Sequence, residues 1–281
     1  MFGLLAGIAD SVGLDRLFRP QRAYLQRARA AQQDERSLVD LQPECPAERD
    51  PRALLEGCVH GDLRIRPVRT DEEIAAVADL QASSFQEPVW GPAFLESAAL
   101  QSLRAEAMST LQHAIKFCPR DAFCCLIAEA PEPSDSGASV AGVGHVAIAA
   151  DPSVLKVIDL PSEPIADVGA GRPPFTQQTT YAYVSSMAVA ENMRRKGLGS
   201  ALLGALARVA RCWGYREVYL HVYEDNEPAV KMYKACGFRV AYRGRPGGLL
   251  PGGRVKLLMR AVVGPDGSLT APAEGDAADE A

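Results

Sequence analysis

The sequence is short of the residues that hold metals. It has four histidines and seven cysteines, and no two cysteines stand in a Cys-x-x-Cys pair, so a metal centre is not expected. The cysteines (Cys45, Cys58, Cys118, Cys124, Cys125, Cys212 and Cys236) are odd in number and lack a regular spacing. That speaks against a disulfide-stapled scaffold and for a reducing compartment with buried free thiols. No run approaches the roughly 18 apolar residues of a helical membrane span. Charge of neither sign dominates: the formal net charge is −5, which gives no footprint for nucleic acid as a partner. No internal repeat is visible.

What is present is enough apolar material for one sizeable core. The chain has 281 residues, 47% of them hydrophobic, which fits one domain with an added element. The start, Met1 to Ala9, is apolar but lacks the basic leader of a secretory signal. Arg16, Arg19, Arg22, Arg27 and Arg29 follow. An Arg-rich amphipathic start reads either as an organelle transit segment or as a helix packed on the domain, and Asp10 and Asp15 are unusual for the former. Residues 1–60, interrupted by Pro43, Pro46 and Pro51, are therefore expected to form an N-terminal extension, in part a transit segment.

From Leu63 the pattern sharpens. Leu63–Val68 alternates as a strand. Thr70 or Asp71 caps a helix to about Ser84, and a second helix follows Pro92, roughly 92–116. Residues 122–130 and 140–150 are strands, and Gly142 and Gly144 leave room for a close approach. The Pro- and Gly-rich stretch 151–179 is a long loop. Then come a strand at 180–189, a helix at 199–215 with Leu202, Leu203, Leu206, Val209, Ala210 and Trp213 on one stripe, a strand at 217–223, a short helix at 227–236, and a closing strand pair at 239–242 and 255–261. This order predicts a mixed α/β domain over 61–262. Residues 263–281 carry Asp266, Glu274, Asp276, Asp279 and Glu280, with neither Lys nor Arg. They are expected to be a disordered acidic tail.

Between the strand at 180–189 and the helix after it lies Arg194-Arg195-Lys196-Gly197-Leu198-Gly199-Ser200. A helix start offers free backbone N–H groups and partial positive charge. Two glycines let the backbone approach a ligand closely. With three basic side chains beside them, these make an anion site suited to a pyrophosphate. A dinucleotide loop would need a third glycine at 202, where leucine stands. A Walker-type loop is also absent.

The spacing Arg194-x-x-Gly197-x-Gly199 resembles the signature of the GNAT acetyltransferase superfamily. Tyr183–Val189 resembles that family's central strand, and Leu220–Asn226 with Ala229, Tyr233 and Gly237-Phe238 resembles its next strand and helix. The resemblance implies a mixed, mostly antiparallel twisted sheet flanked by helices, and acetyl-CoA as co-substrate. It implies that the backbone of Met187, Ala188 and Val189 pairs with the pantetheine arm. It further implies that Arg194 and the N–H groups of Arg195, Lys196, Gly197, Leu198, Gly199 and Ser200 hold the pyrophosphate. Asn226, Glu227 and Pro228 would border the pantetheine, although Asn226 ahead of Pro228 is also a plain helix N-cap.

Acetyl transfer needs a neutral amine, an oxyanion stabiliser and a proton for the departing thiolate. By the resemblance, Tyr233 is the general acid; read from its helix alone it is a core tyrosine. Tyr219, His221 and Tyr223 share one face of their strand. His221 with Tyr183 resembles the proton-relay pair of N-terminal protein acetyltransferases, and its alternative is a structural histidine bonded across the sheet. Glu191 and Glu224 are weaker candidates for the base. At pH 7 roughly 10–20% of an α-amine is neutral, against roughly 0.04% of a lysine side chain. Protein or peptide N-termini are therefore the expected substrate, lysine a second one, and a small-molecule amine or amino acid the alternative. The acceptor site is expected near 83–95 and in the nearly uncharged loop Gly244–Gly253. The extension resembles, loosely, that of plastid members of the superfamily, so the plastid stroma is the expected location and the cytoplasm the alternative.

Overall fold

The computed structural model describes residues 42–86, 93–129, 140–150, 180–244 and 254–272. The Arg-rich start, the loop 151–179, most of Gly244–Gly253 and the chain end lie outside the described residues.

The sheet has nine strands among the described residues: β1 (Val59–His60), β2 (Leu63–Pro67), β3 (Phe123–Glu129), β4 (Val140–Ala149), β5 (Tyr181–Val189), β6 (Glu217–Tyr223), β7 (Arg239–Arg243), β8 (Lys256–Val263) and β9 (Leu269–Thr270). They run in the order β1-β2-β3-β4-β5-β6-β8-β7, with β9 beside β8. Every pairing is antiparallel except β5 with β6. The helices are α1 (Pro51–Leu54), α2 (Asp71–Phe85), α3 (Ala93–Phe117), α4 (Leu198–Cys212) and α5 (Glu227–Ala235). This is the mixed, mostly antiparallel architecture the sequence led us to expect.

Alternation along the strands divides the core in two. On one side Val184, Leu220, Val222 and Met259 of the strands share a cluster with Leu202 and Leu206 of α4 and with Trp213 at its end. On the opposite side Ile74, Val77, Leu111 and Ile115 of α2 and α3 cover Phe123, Cys125, Ile127, Val143 and Ala147. The same side continues into a smaller cluster of Tyr181, Tyr183, Tyr219 and Leu258.

Helix α2 starts in a reciprocal cap, in which the Thr70 side chain accepts from the Glu73 N–H and the Glu73 carboxylate accepts from the Thr70 N–H. Such a cap satisfies two of the free donors of a helix start. Glu73 also receives both terminal nitrogens of Arg66, at 3.1 and 2.6 Å, while Arg66 reaches Glu129 through Nε and Nη2, both at 2.8 Å. The two carboxylates hold the Arg66 guanidinium, only 6% exposed, well above its ordinary pKa. This triad pins the start of α2 to β2 and β3.

Residues 42–60 belong to the same packed unit. Leu55 is in the main core, the Trp213 Nε1–H donates to the Arg49 carbonyl at 3.3 Å, and Gln42 donates to the Phe123 carbonyl at 3.1 Å. Helix α4 is also buried beyond its predicted stripe, at Ala205 and Ala207. The acidic tail also departs from expectation. Residues 264–268 close a turn in which Gly264 N–H donates to the Ser268 carbonyl and Asp266 accepts from Ser268, after which β9 pairs with Val262 and Val263. A Pro-Asp-Gly turn overrides the disorder suggested by composition.

All seven cysteines are unpaired; Cys124 and Cys125 are buried and the other five partly exposed. Burial pushes the Cys118 thiol up to about 12 and Cys124 well above its ordinary value, so these thiols stay protonated.

Candidate active site

The ladder between β4 and β5 is interrupted. Between β4 and β5 the partners run Val143↔Ala188 and then His145↔Ser185, so β5 has one residue more than β4 across that step. Ser186 takes up the extra residue with φ +54°, a left-handed conformation uncommon for a residue with a side chain. A Cβ at Gly144 would collide with Met187 and stand 2.7 Å from Leu206. Gly144 thus admits both the bulge and α4. The close approach expected at this glycine is made by neighbouring side chains.

On its other edge, β5 pairs with β6 only over Ala182–Val184 and Val218–Leu220. Both strands run on, to Val189 and Tyr223, so Met187, Ala188 and Val189 present a strand edge toward the gap. Such an edge can take an added strand.

At the mouth of this split the Tyr183 hydroxyl lies 2.9 Å from His221 Nδ1. Tyr183 is buried and His221 half-buried. His221 is the first β6 residue past the paired segment, so the sequence-predicted pair does meet. Beneath the bulge Gln81 donates to His145 Nε2 at 3.1 Å and to the Ser186 carbonyl at 3.4 Å. Nε2 must therefore accept, which leaves the proton on Nδ1. Burial pulls the His145 pKa down to about 3. Among the described residues, His145 Nδ1 and the Ser185 and Ser186 hydroxyls are buried without a hydrogen-bond partner. The sequence assigns these three residues no role, although Ser185 and Ser186 lie within the segment Tyr183–Val189.

Tyr233 sits on the α4 side of the sheet, 7% exposed. Helix α5 begins at Asn226, whose side chain accepts from the Ala229 N–H, and Pro228 occupies the first turn. It ends at Gly237, φ +92°, with the Phe238 N–H donating to the Tyr233 carbonyl at 3.0 Å and the Gly237 N–H to Lys234 at 3.1 Å. This is a Schellman cap, whose usual apolar contact is here the Tyr233–Phe238 ring pair at 5.8 Å. The cap fixes where Tyr233 stands. Burial first, then the nearby Cys236, pushes its phenol up to about 12.

The glycine loop follows β5. The Arg194 Nε–H donates back to the Val189 carbonyl at 3.1 Å. Arg195 and Gly197 are left-handed at φ +61° and +78°, and Gly197 is the N-cap of α4. A Cβ on Gly199 would stand 2.7 Å from Met232 Sδ, so this glycine lets α4 and α5 close together. Arg195, Lys196 and Ser200 are exposed. One member of this assembly was not anticipated: His60 Nε2 lies 2.8 Å from the Lys196 carbonyl. The signal for it was Gly61-Asp62 between two short apolar runs, a two-residue hairpin turn.

Of the candidate bases, Glu191 is exposed in a 3-10 turn and Glu224 is held by Arg243 through bonds of 2.8 and 2.7 Å. Asp225 is held likewise by Arg254, at 2.7 and 2.8 Å. Both carboxyls lie below their ordinary range because of these arginines. Among the described residues no group of His, Cys, Asp or Glu could hold a metal ion, and no helix is long and apolar enough to cross a membrane.

Residues 140–238 match the acetyltransferase (GNAT) family. The chain is 30% identical over 184 residues to GCN5-related N-acetyltransferase 10, chloroplastic, of Arabidopsis thaliana, covering 64% of each protein. It is 43% identical over 58 residues to an N-alpha-acetyltransferase of Sulfurisphaera tokodaii, covering 20% of this chain and 35% of that protein. Among solved structures, Arabidopsis thaliana NAA60 in complex with acetyl-CoA aligns with a TM-score of 0.51 and 18% identity, covering 72% of this chain and 98% of that one. The similarity to the GNAT acetyltransferase family thus spans residues 140–238, from the start of β4 to just past α5.

Proposed function

We propose that this protein transfers acetyl from acetyl-CoA to primary amines, protein N-terminal α-amines first and lysine side chains second. The observation that carries this reading is the Tyr183–His221 hydrogen bond at the point where β5 and β6 separate. Acetyl-CoA would supply the thioester. The residues present suit it: a free strand edge at Met187–Val189 for the amide-bearing pantetheine arm, and the α4 start with Arg195, Lys196 and Ser200 for the pyrophosphate. Asn226, Glu227 and Pro228, at the start of α5, would border the arm.

The division of the sheet supports two separate proton tasks. Tyr183 and His221 lie on the face away from α4 and take the proton of the incoming amine. Tyr233 lies on the α4 face. A phenol raised to about 12 keeps its proton at neutral pH, ready for the departing thiolate. An α-amine suits a relay of a tyrosine and a histidine because a sizeable fraction is already neutral.

Two features favour a peptide over a polyamine. Glu224 and Asp225, the acids that end β6, are neutralised by Arg243 and Arg254. Phe85 and Phe94, at the facing ends of α2 and α3, are 37% and 67% exposed and offer apolar contact. The names of the plant relatives, together with the Arg-rich start, support the plastid as its location.

The test is incubation with labelled acetyl-CoA and peptides, half with free and half with blocked N-termini, followed by mass spectrometry. Acetate should appear on free α-amines and fall at least ten-fold in His221→Ala. Turnover only on polyamines or amino acids would replace this reading with a small-amine enzyme.

A further inference from the structure

The β1–β2 hairpin turns through Gly61 and Asp62, with Gly61 at φ +59° and His60 paired to Leu63. A glycine with positive φ at the first central position gives a turn whose twist matches the strands. The Ile65 N–H donates to the Cys58 carbonyl at 2.8 Å and fixes the register. This rigid tip aims the half-buried His60 ring at the glycine loop. The ring covers Gly197, where a Cβ would stand 3.3 Å from its Cε1.

His60 Nε2 lies 2.8 Å from the Lys196 carbonyl. A carbonyl only accepts, so Nε2 carries the proton and donates. In a trans peptide the C=O of one residue and the N–H of the next point in opposite directions. Drawing the Lys196 carbonyl toward β1 therefore turns the Gly197 N–H to the far side of the loop. Gly199, two residues on, has Met232 of α5 and Val189 at the end of β5 as neighbours. The peptide has freedom to lose: Arg195 and Gly197 on either side of Lys196 are both left-handed.

We propose that His60 is a positioning residue for the pyrophosphate of acetyl-CoA. It holds the Lys196–Gly197 peptide in the one orientation that adds the Gly197 N–H to the donors of the α4 start. This rests on the acetyl-CoA reading above. It gives the N-terminal hairpin, which lies before the family match at 140–238, a part in cofactor binding.

Calorimetry of CoA binding and backbone NMR of the Gly197 amide test it. In the parent protein CoA should bind and move the Gly197 amide proton downfield. His60→Ala should weaken binding about three- to ten-fold, the range of one lost hydrogen bond, and abolish that shift. His60→Gln, which places an amide N–H where Nε2 stood, should restore both. Unchanged affinity, or a Gly197 shift that persists in His60→Ala, would overturn the proposal. Should the alanine variant not fold, His60→Gln against the shorter His60→Asn makes the same comparison. Absence of CoA binding by the parent protein would instead refute the acetyl-CoA reading itself.

Discussion

Gly237→Ala tests whether the cap of α5 is what holds Tyr233. The residue stands at φ +92°, where an L side chain costs about 1–2 kcal/mol. Its new Cβ would also meet backbone: Thr270 C at 3.0 Å, Thr270 Cα at 3.1 Å and Ala271 N at 3.2 Å. Backbone cannot rotate aside as a side chain can, so β9 must shift, at a cost of about 1 kcal/mol or more. The sum is about 2–3 kcal/mol, which for a domain of this size lowers the melting temperature by roughly 4–12 °C. Urea unfolding measures the loss directly. Gly204→Ala is the control: a Cβ on this α4 glycine would have no atom within 4 Å, and its φ is not positive, so alanine should stabilise by about 0.5–1 kcal/mol. Because the Tyr233–Phe238 contact belongs to the cap, kcat should fall in Gly237→Ala and stay put in Gly204→Ala. Equal unfolding midpoints for Gly237→Ala and the parent protein would refute the reasoning.

Two further predictions concern buried charge. Burial pulls His145 from 6.5 down to about 3, so below pH 6.5 the unfolded chain binds a proton that the native state refuses. Stability from this group is complete above pH 6.5 and is lost as pH falls, by about 2 kcal/mol between pH 6.5 and 5; urea midpoints in His145→Gln should show that part of the slope removed, and an unchanged slope would count against a neutral buried imidazole. Arg66→Met leaves the Glu73 carboxylate, 8% exposed, without its cation and should cost about 3–5 kcal/mol. Glu129→Gln, at a carboxylate 40% exposed, should cost far less by the same measurement, and equal losses would show that burial does not set the difference.

The elements that could be read from sequence are those whose signals are local. Thr70 and Glu73 announce α2, Asn226 and Pro228 announce α5, and the glycines of 197–199 mark the start of α4. His221 could be picked out because alternation fixes its face and because the order of segments resembled a known superfamily. What escaped depends on contacts between distant segments. Nothing near Ala205 or Ala207 says that Arg49 and Leu55 will lie over α4. Nothing near Lys196 points to His60, far earlier in the chain. The tail misled through composition: its acids and small residues dominated the reading, although Pro265-Asp266-Gly267 is turn chemistry that the chain uses to build β9.

Several departures from the local rules of the fold gather around β5. Both non-glycine residues with positive φ among the described residues, Ser186 and Arg195, flank the free edge Met187–Val189. Of the four buried side-chain atoms without a partner among the described residues, three (His145 Nδ1 and the hydroxyls of Ser185 and Ser186) lie on the two strands that meet at the bulge. A left-handed serine and unpaired buried polar atoms are each costly. They persist here because the surroundings dictate them: Gly144 yields to Met187, Leu206 closes over it, and Gln81 ties His145 to the Ser186 carbonyl. An uninterrupted β5–β6 ladder would cover the edge at Met187–Val189 and leave no gap between the face of Tyr233 and the face of Tyr183 and His221. The sheet gives up its own regularity where an extended ligand could supply the missing strand, with an amine approaching from the other side.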